Sequence, residues 1–294
     1  MGSYQSIKAE QNRAQNGHVQ SPVKVRPRHM DFNFPEEIPK YWIDDNPYIT
    51  HLLNALSAVF PEGERFFIDS VRHYQDQIKD ESLLKDIRGF IGQEAHHSKH
   101  HQLFNDLVEK KGTPMSAIDK FTRESLKQAR KNFSPEHQLA ITIALEHFTA
   151  VLANQALRDE TLYEGMLPEF KNLIRWHAIE ETEHKAVAYD VYQEVSGNVG
   201  IRRRVMVETT MSFIGDILGF QIYFLIKDGF PIRPIKFLKY LNFLFGTKGF
   251  LFRIIPEYLD YYKADFHPWQ HDNHELVENW KTRYAHVSEN LMKA

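Results

Sequence analysis

The sequence predicts an all-α protein: a helical bundle followed by further helices. Three observations lead there. Apolar residues recur at alternating spacings of three and four through most of the chain after residue 47, the period of a helix with one buried face. Nothing resembles a series of alternating apolar and polar strands. With 42% apolar residues in 294, there is material for one large core.

Taken in order, residues 1–28 are polar and unpatterned and are expected to form a disordered tail. They lack the apolar stretch of a secretory signal, so the cytoplasm is the expected location. "DFNFPEEIPKYWIDDNP", 31–47, reads as an extended strap lying across the bundle, because its prolines interrupt any helix. Helical segments are then expected at 48–79, with Pro61 as a kink point, and at 81–111, 116–131, 134–164 and 168–196. Gly112 closes the second, and Ser134 followed by Pro135 is an N-cap with proline in the first turn. Strap and bundle together form a domain over 29–200.

Residues 201–294 form a helical extension packing on the bundle and ending in a polar helix after "FHPWQHDNHELVENW". The stretch 205–226 is strongly apolar, but Glu208 and Asp216 argue against a transmembrane span. Between 217 and 256 six Lys or Arg accompany a single acid, Asp228, and eight phenylalanines. Packing over the bundle to cover a substrate channel is the expected role. Peripheral contact with an anionic membrane surface through 217–256 is the alternative.

Net charge is −3 with histidines neutral, which gives no reason to expect a nucleic-acid partner. The absence of cysteine removes disulfides, thiolate metal sites and cysteine nucleophiles. Any metal must be held by histidine and carboxylate, the set suited to iron, manganese or zinc.

Four of the apolar stripes are interrupted near their middles by ligand-type residues. They supply Glu64; Glu94-x-x-His97; Glu146; and Glu181-x-x-His184. Residues three apart on a helix lie one turn along the same face, so a glutamate and a histidine so spaced reach one site. Four buried carboxylates would repel one another and lose their hydration; one or two dications resolve both problems. Alternating single glutamates with Glu-x-x-His pairs is the di-metal carboxylate pattern of helical bundles. His177 precedes Glu181 by one turn and His101 follows His97 by one turn. If those two helices run antiparallel, both extra histidines fall at one end of the site, as further ligands or as hydrogen-bond partners of ligands. His96, His100, Glu180 and Glu183 lie off the stripes and are expected to be solvated or to support ligands; His147 faces elsewhere.

With "FPEGERFF", "FIGQEAHHSKHH", "ALEHFTA" and "RWHAIEETEHKAVAYDVY" in view, the chain resembles the family of predicted metal-dependent hydrolases from about Met30 to Pro268. The resemblance implies a ferritin-like di-metal fold. The ligand set alone, including His177, is similar to that of the three-histidine di-iron arylamine N-oxygenases, in which the additional histidine binds iron. Two metal ions are therefore expected, iron first and manganese or zinc as alternatives. The expected chemistry is O2-dependent oxidation or oxygenation of a small apolar or aromatic substrate, with no catalytic residues beyond the ligands. Phe60, Phe67, Phe90 and Phe104 would exclude water and shape the pocket. No Gly-x-Gly-x-x-Gly fingerprint is present, so electrons would come from a donor protein or from the substrate. The alternatives are a hydrolase using a metal-bound water and, third, a non-catalytic iron-binding protein of ferritin-like fold. No oligomeric state is indicated.

Overall fold

The computed structural model describes residues 21–246 and 249–291 and, among these, contains no strand. A lone antiparallel bridge joins Ile43 to Met166. The bundle is built by α1 (Pro47–Arg72), α2 (Glu81–Lys110), α4 (Pro135–Arg158) and α5 (Pro168–His184), with α3 (Met115–Asn132) connecting the two pairs. α6 (Val187–Val195), α7 (Val199–Lys227), α8 (Pro234–Phe245), α9 (Phe250–Asp260) and α10 (His274–Leu291) follow.

Local chemistry sets the starts. Asn46 caps α1 by accepting from the backbone N–H groups of Tyr48 and Ile49, and Asp80 and Ser134 cap α2 and α4 in the same way. α1 continues through Pro61, whose missing N–H leaves the carbonyl of Ser57 without its helical partner. Asn105 of α2 replaces that donor, its Nδ2 lying 3.0 Å from Ser57 O. The expected kink point is thereby patched from outside.

Two apolar clusters occupy the two ends of the bundle. One gathers Phe66, Val71, Ile87, Phe90, Leu139 and Ile143 with residues of α6 and α7. The other gathers Ala55, Ala58, Phe104, Val108 and Phe170 with Phe32 and Trp42 of the strap. The ligand-type residues sit between them, mid-helix in α2 and α4, in the second half of α1 and in the last two turns of α5.

Several expectations are revised. The first segment ends at Arg72, and a short 3₁₀ turn, Gln75–Gln77, follows; the fourth ends at Arg158 before a 3₁₀ turn at Glu160–Tyr163. The last bundle segment is two helices, interrupted at Lys185 and Ala186. Lys185 is buried there and donates to the carbonyl of His271 and to Asn273 Oδ1 at 2.7 and 2.8 Å. Residues 21–28 are packed rather than a tail and extend the strap backwards along α2: Val23 and Val25 are buried, and Gln93 donates to the carbonyl of Arg26. The rest of that expected tail, 1–20, lies outside the described residues. α2 is shaped for this crossing. A Cβ at Gly89 or Gly92 would stand 2.4 Å from Val25 O or Pro27 Cγ, so "GFIG" gives the strap its path.

Candidate metal centre

Glu64, Glu94, Glu146 and Glu181 meet His97, His177 and His184 at the bundle's midpoint, all of them buried. α2 and α5 run antiparallel, so Glu94 faces His184 and His97 faces Glu181. His184 Nε2 lies 2.9 Å from Glu94, 3.6 Å from Glu146 and 3.5 Å from Glu181. His97 Nδ1 lies 3.4 Å from Glu181 and 3.8 Å from Glu94. His177 Nε2 is 2.8 Å from Glu181 and 3.7 Å from Glu64. Donor atoms bound at about 2.1 Å to one ion stand roughly 3 to 3.5 Å apart, so these spacings suit ions set among them.

Grouping by mutual approach gives two overlapping sets with capacity for metal. Glu64, Glu94 and His97 form one; Glu94, Glu146, Glu181 and His184 form the other; His97, His177 and Glu181 make a further triad. Glu64, Glu94, Glu181, His97 and His177 each belong to more than one set, and of these Glu94 and Glu181 are the ones that also meet Glu146 and His184.

The residues fit such ions on a second count. Neither carboxylate oxygen of Glu64, Glu94 or Glu146 has an aligned hydrogen-bond partner, nor have His97 Nδ1 and His184 Nε2. A buried polar atom so orphaned costs about 1–3 kcal/mol, and here they converge on one volume. Burial, then the neighbouring carboxylates, pushes the Glu64 and Glu94 carboxyls up. Burial also raises Glu146. Glu181 differs: burial favours its neutral form, but His184 and His177 hold it well below the usual carboxylate range.

The other imidazole nitrogens are occupied, which fixes each ring's orientation. His97 Nε2 meets Glu180 at 3.1 Å and His184 Nδ1 meets Gln93 Oε1 at 2.9 Å. His177 Nδ1 meets His101 Nε2 at 2.7 Å, and Ser57 Oγ stands 2.9 Å from His101 Nδ1. The extra histidines thus touch each other at one end, as antiparallel packing requires. A set comprising Glu64, His101 and His177 also lies within metal-holding distance.

A model of the family described as predicted metal-dependent hydrolase matches residues 26–272. The chain belongs to this family. Searches of curated proteins and of solved structures return no match. In this member of the predicted metal-dependent hydrolases the matched span holds every ligand-type residue above, and it begins inside the strap.

That start is informative, because the strap closes the site. Arg28 Nη1 bonds Glu180 at 3.0 Å and Glu183 at 2.8 Å, and its Nη2 reaches Glu183 at 2.7 Å. Glu183 accepts from Gln93 Nε2, and Gln93 in turn holds His184. Arg28 therefore ties the strap to both Glu-x-x-His histidines through Glu180 and Gln93. Glu180, Glu183 and His100 are buried under Arg28 and Phe32 rather than solvated, and Glu180 and Glu183 take the alternative supporting place, beside His97 and Gln93. His147 does face elsewhere, with Nε2 3.0 Å from the carbonyl of Glu257. Gln93 and Arg28 carried no signal in the sequence, since neither lies on an apolar stripe.

Arg28→Ala is expected to lower stability by roughly 3 kcal/mol, the low end for breaking a buried ion pair, because Arg28 keeps some exposure. Metal affinity should fall by about 10- to 100-fold as His97 and His184 lose their supports. Calorimetry and chelator competition check the two effects separately.

Metal uptake should also depend on pH. Burial works against a charge on His97, but Glu180 and Glu181 raise it to about 9 in the metal-free protein. A proton and a metal ion compete for the same nitrogen. Apparent affinity should therefore climb as pH rises through neutrality toward about 9. Flat affinity between pH 6 and 9, by competition titration, is inconsistent with ligation by His97.

A cavity of about 190 Å³ meets the cluster from one side; Ser57, His101, His177 and Glu181 line its inner end. Its walls are Leu52, Leu56 and Phe60 of α1, Leu152 and Ala156 of α4, and Ile174 of α5. Phe60 closes the inner end, its ring 4.6 Å from His101 and 5.1 Å from His177. Of the four phenylalanines expected around a pocket, Phe60 and Phe104 line this one. Phe67 lines a second cavity, bounded by α1, α3, α4 and α7. Phe90 is core, its ring edge 5.0 Å from His184.

Proposed function

We propose that the protein is a two-metal carboxylate enzyme of ferritin-like design that oxidises an apolar substrate at the expense of dioxygen. The reading rests on one observation above all: a doubly shared carboxylate–imidazole cluster stands at the inner end of an apolar cavity. Glu64 and His97 would hold one ion, Glu146 and His184 the other, with Glu94 and Glu181 between them. His177 joins beside Glu181. His101, with one nitrogen on His177 and the other near Ser57, orients His177. Iron, when bound, supplies the electrons that reduce dioxygen.

The chain's own side chains favour oxidation of an unactivated substrate over attack on a polar one. The cavity's polar groups are few and mostly engaged: Trp42 Nε1 donates to Asn54, and Tyr163 donates to the carbonyl of Ala156. Among the described residues no lysine or arginine lines the wall to stabilise an oxyanion. Leu52, Leu56 and Ile174 instead exclude water and orient an apolar body toward Glu181.

The family's description supports a second reading, hydrolysis by a metal-bound water. Anaerobic loading with ferrous iron followed by air separates the two. Oxygen uptake with a change in the visible spectrum is the expected result. A colourless protein that turns over esters or amides equally well without oxygen would establish the hydrolytic reading instead.

A further inference from the structure

Of the large apolar side chains exposed among the described residues, all but Leu103, Phe121 and Phe133 lie between 207 and 259. On α7 they form one stripe, Val207, Met211, Ile214, Leu218, Ile222 and Ile226, running most of the helix. The opposite face carries buried Val205, Met206, Phe220 and Phe224, packed into the two main apolar clusters. By length and composition α7 is apolar enough to cross a membrane, but one side is committed to the bundle and only the other is bare. The turn into α8 adds Phe230 and Ile232, the latter 86% exposed, and Ile235 follows at 73%.

Charge says what this surface meets. Between 229 and 256 there are five cations and no acid, in a chain of net charge −3. Four of those five cations are paired, Arg233 with Asp45, Lys236 and Lys239 with Asp44, and Arg253 with Asp159, and the fifth, Lys248, lies outside the described residues. These pairs hold α8 and α9 down on the strap and on the end of α4. They leave a face whose main attraction is apolar, with a cationic bias.

The same face carries the outer end of the cavity. Along α1, Ile49 and Leu52 pack with Phe243 of α8, while Phe60 packs on His101 and His177. At 1.5 Å per residue, Ile49 and Phe60 are roughly 16 Å apart. Phe243 and Phe250 of α9 line the cavity opposite its metal-facing end. The volume of about 190 Å³ exceeds an engineered apolar cavity of about 150 Å³ that takes benzene.

We propose that α7, α8, α9 and the Phe230–Ile232 turn seat on an anionic lipid bilayer, from which a long-chain amphiphile enters the cavity past the stacked rings of Phe243 and Phe250, tail first. The substrate class rests on the two-metal reading above; the docking does not. A second copy of the chain seated on this face would close the cavity's outer end, whereas a bilayer feeds it. Apolar side chains enter the interface, and Arg233 and Lys239, paired but still partly exposed, can turn to the headgroups.

Flotation of the full chain with vesicles of phosphatidylcholine, alone or mixed with phosphatidylglycerol, tests the docking. The expected result is binding that is stronger on the mixed vesicles and weakened but not lost in high salt. Ile232→Glu/Ile235→Glu, at positions too exposed to support the fold, should reduce the bound fraction by roughly tenfold or more. Met211→Glu on α7 is an independent second variant. Unchanged flotation of both variants, or wild-type protein that stays in the aqueous layer, overturns the docking; so does a dimer that the same variants dissociate. cis-Parinaric acid fluorescence probes the cavity, and Leu56→Trp should abolish that signal while leaving flotation and metal content intact. Equal parinarate binding by Leu56→Trp overturns the amphiphile assignment. Protein that floats and binds parinarate but takes up no metal refutes the two-metal reading alone.

Discussion

Glu94→Ala and Glu181→Ala are each expected to empty both metal positions, whereas Glu64→Ala and Glu146→Ala should each leave one ion bound. The difference follows from where the four carboxylates stand. Glu94 lies within reach of both Glu64 with His97 and Glu146 with His184, and Glu181 joins the second set to His97 and His177. On the two-metal reading, removing a residue shared between the ions strips a ligand from both and leaves the remaining buried carboxylates repelling across the gap. Glu146 belongs to one set, and Glu64's two sets, with Glu94 and His97 and with His101 and His177, both lie away from Glu146 and His184, so removing either should cost one ion. Metal content by elemental analysis after dialysis reads the stoichiometry directly. A uniform loss of one ion in all four variants would mean that no glutamate is shared.

Glu64→Met should change stability in opposite directions with and without metal. Both Glu64 oxygens lack an aligned partner and the side chain is almost wholly buried, so the metal-free protein bears the penalty of an orphaned polar group, about 1–3 kcal/mol. Methionine has similar length, no buried polar oxygen, and enough flexibility to fill the space. The metal-free variant should therefore melt higher than metal-free wild type. With metal in excess the order should reverse. An ion at a hundred times its dissociation constant contributes about 2.7 kcal/mol, and the variant has lost one such ion. Melting curves of both proteins, stripped and saturated, give four temperatures and one sign change. If Glu64→Met melts lower in both states, Glu64 is a structural acid and the centre holds less metal than proposed.

The helices and the midpoint cluster were legible in the sequence for a physical reason. A helix converts spacing along the chain into direction, so Glu64, Glu94, His97, Glu146, Glu181 and His184 share the buried face with their apolar neighbours. Bringing the four faces together then places those six residues in one volume. His177 and His101 were legible as members of the stripes one turn further on, with ligand and hydrogen-bond partner both open as roles.

What only the tertiary structure decided concerns residues off the stripes and partners distant in sequence. Arg28 reaches Glu180 across 152 positions and Gln93 reaches Glu183 across 90. Periodicity within a helix says nothing about which strap covers it. His100 reads as solvent-facing until Phe32 and Trp176 close over it. Nor does an apolar residue state what it faces: Phe220 and Ile222 are alike in hydrophobicity, yet one is packed into the core and the other is bare. Spacing sets which residues share a face; only the packing of helix on helix decides which faces are covered and which are left to a partner.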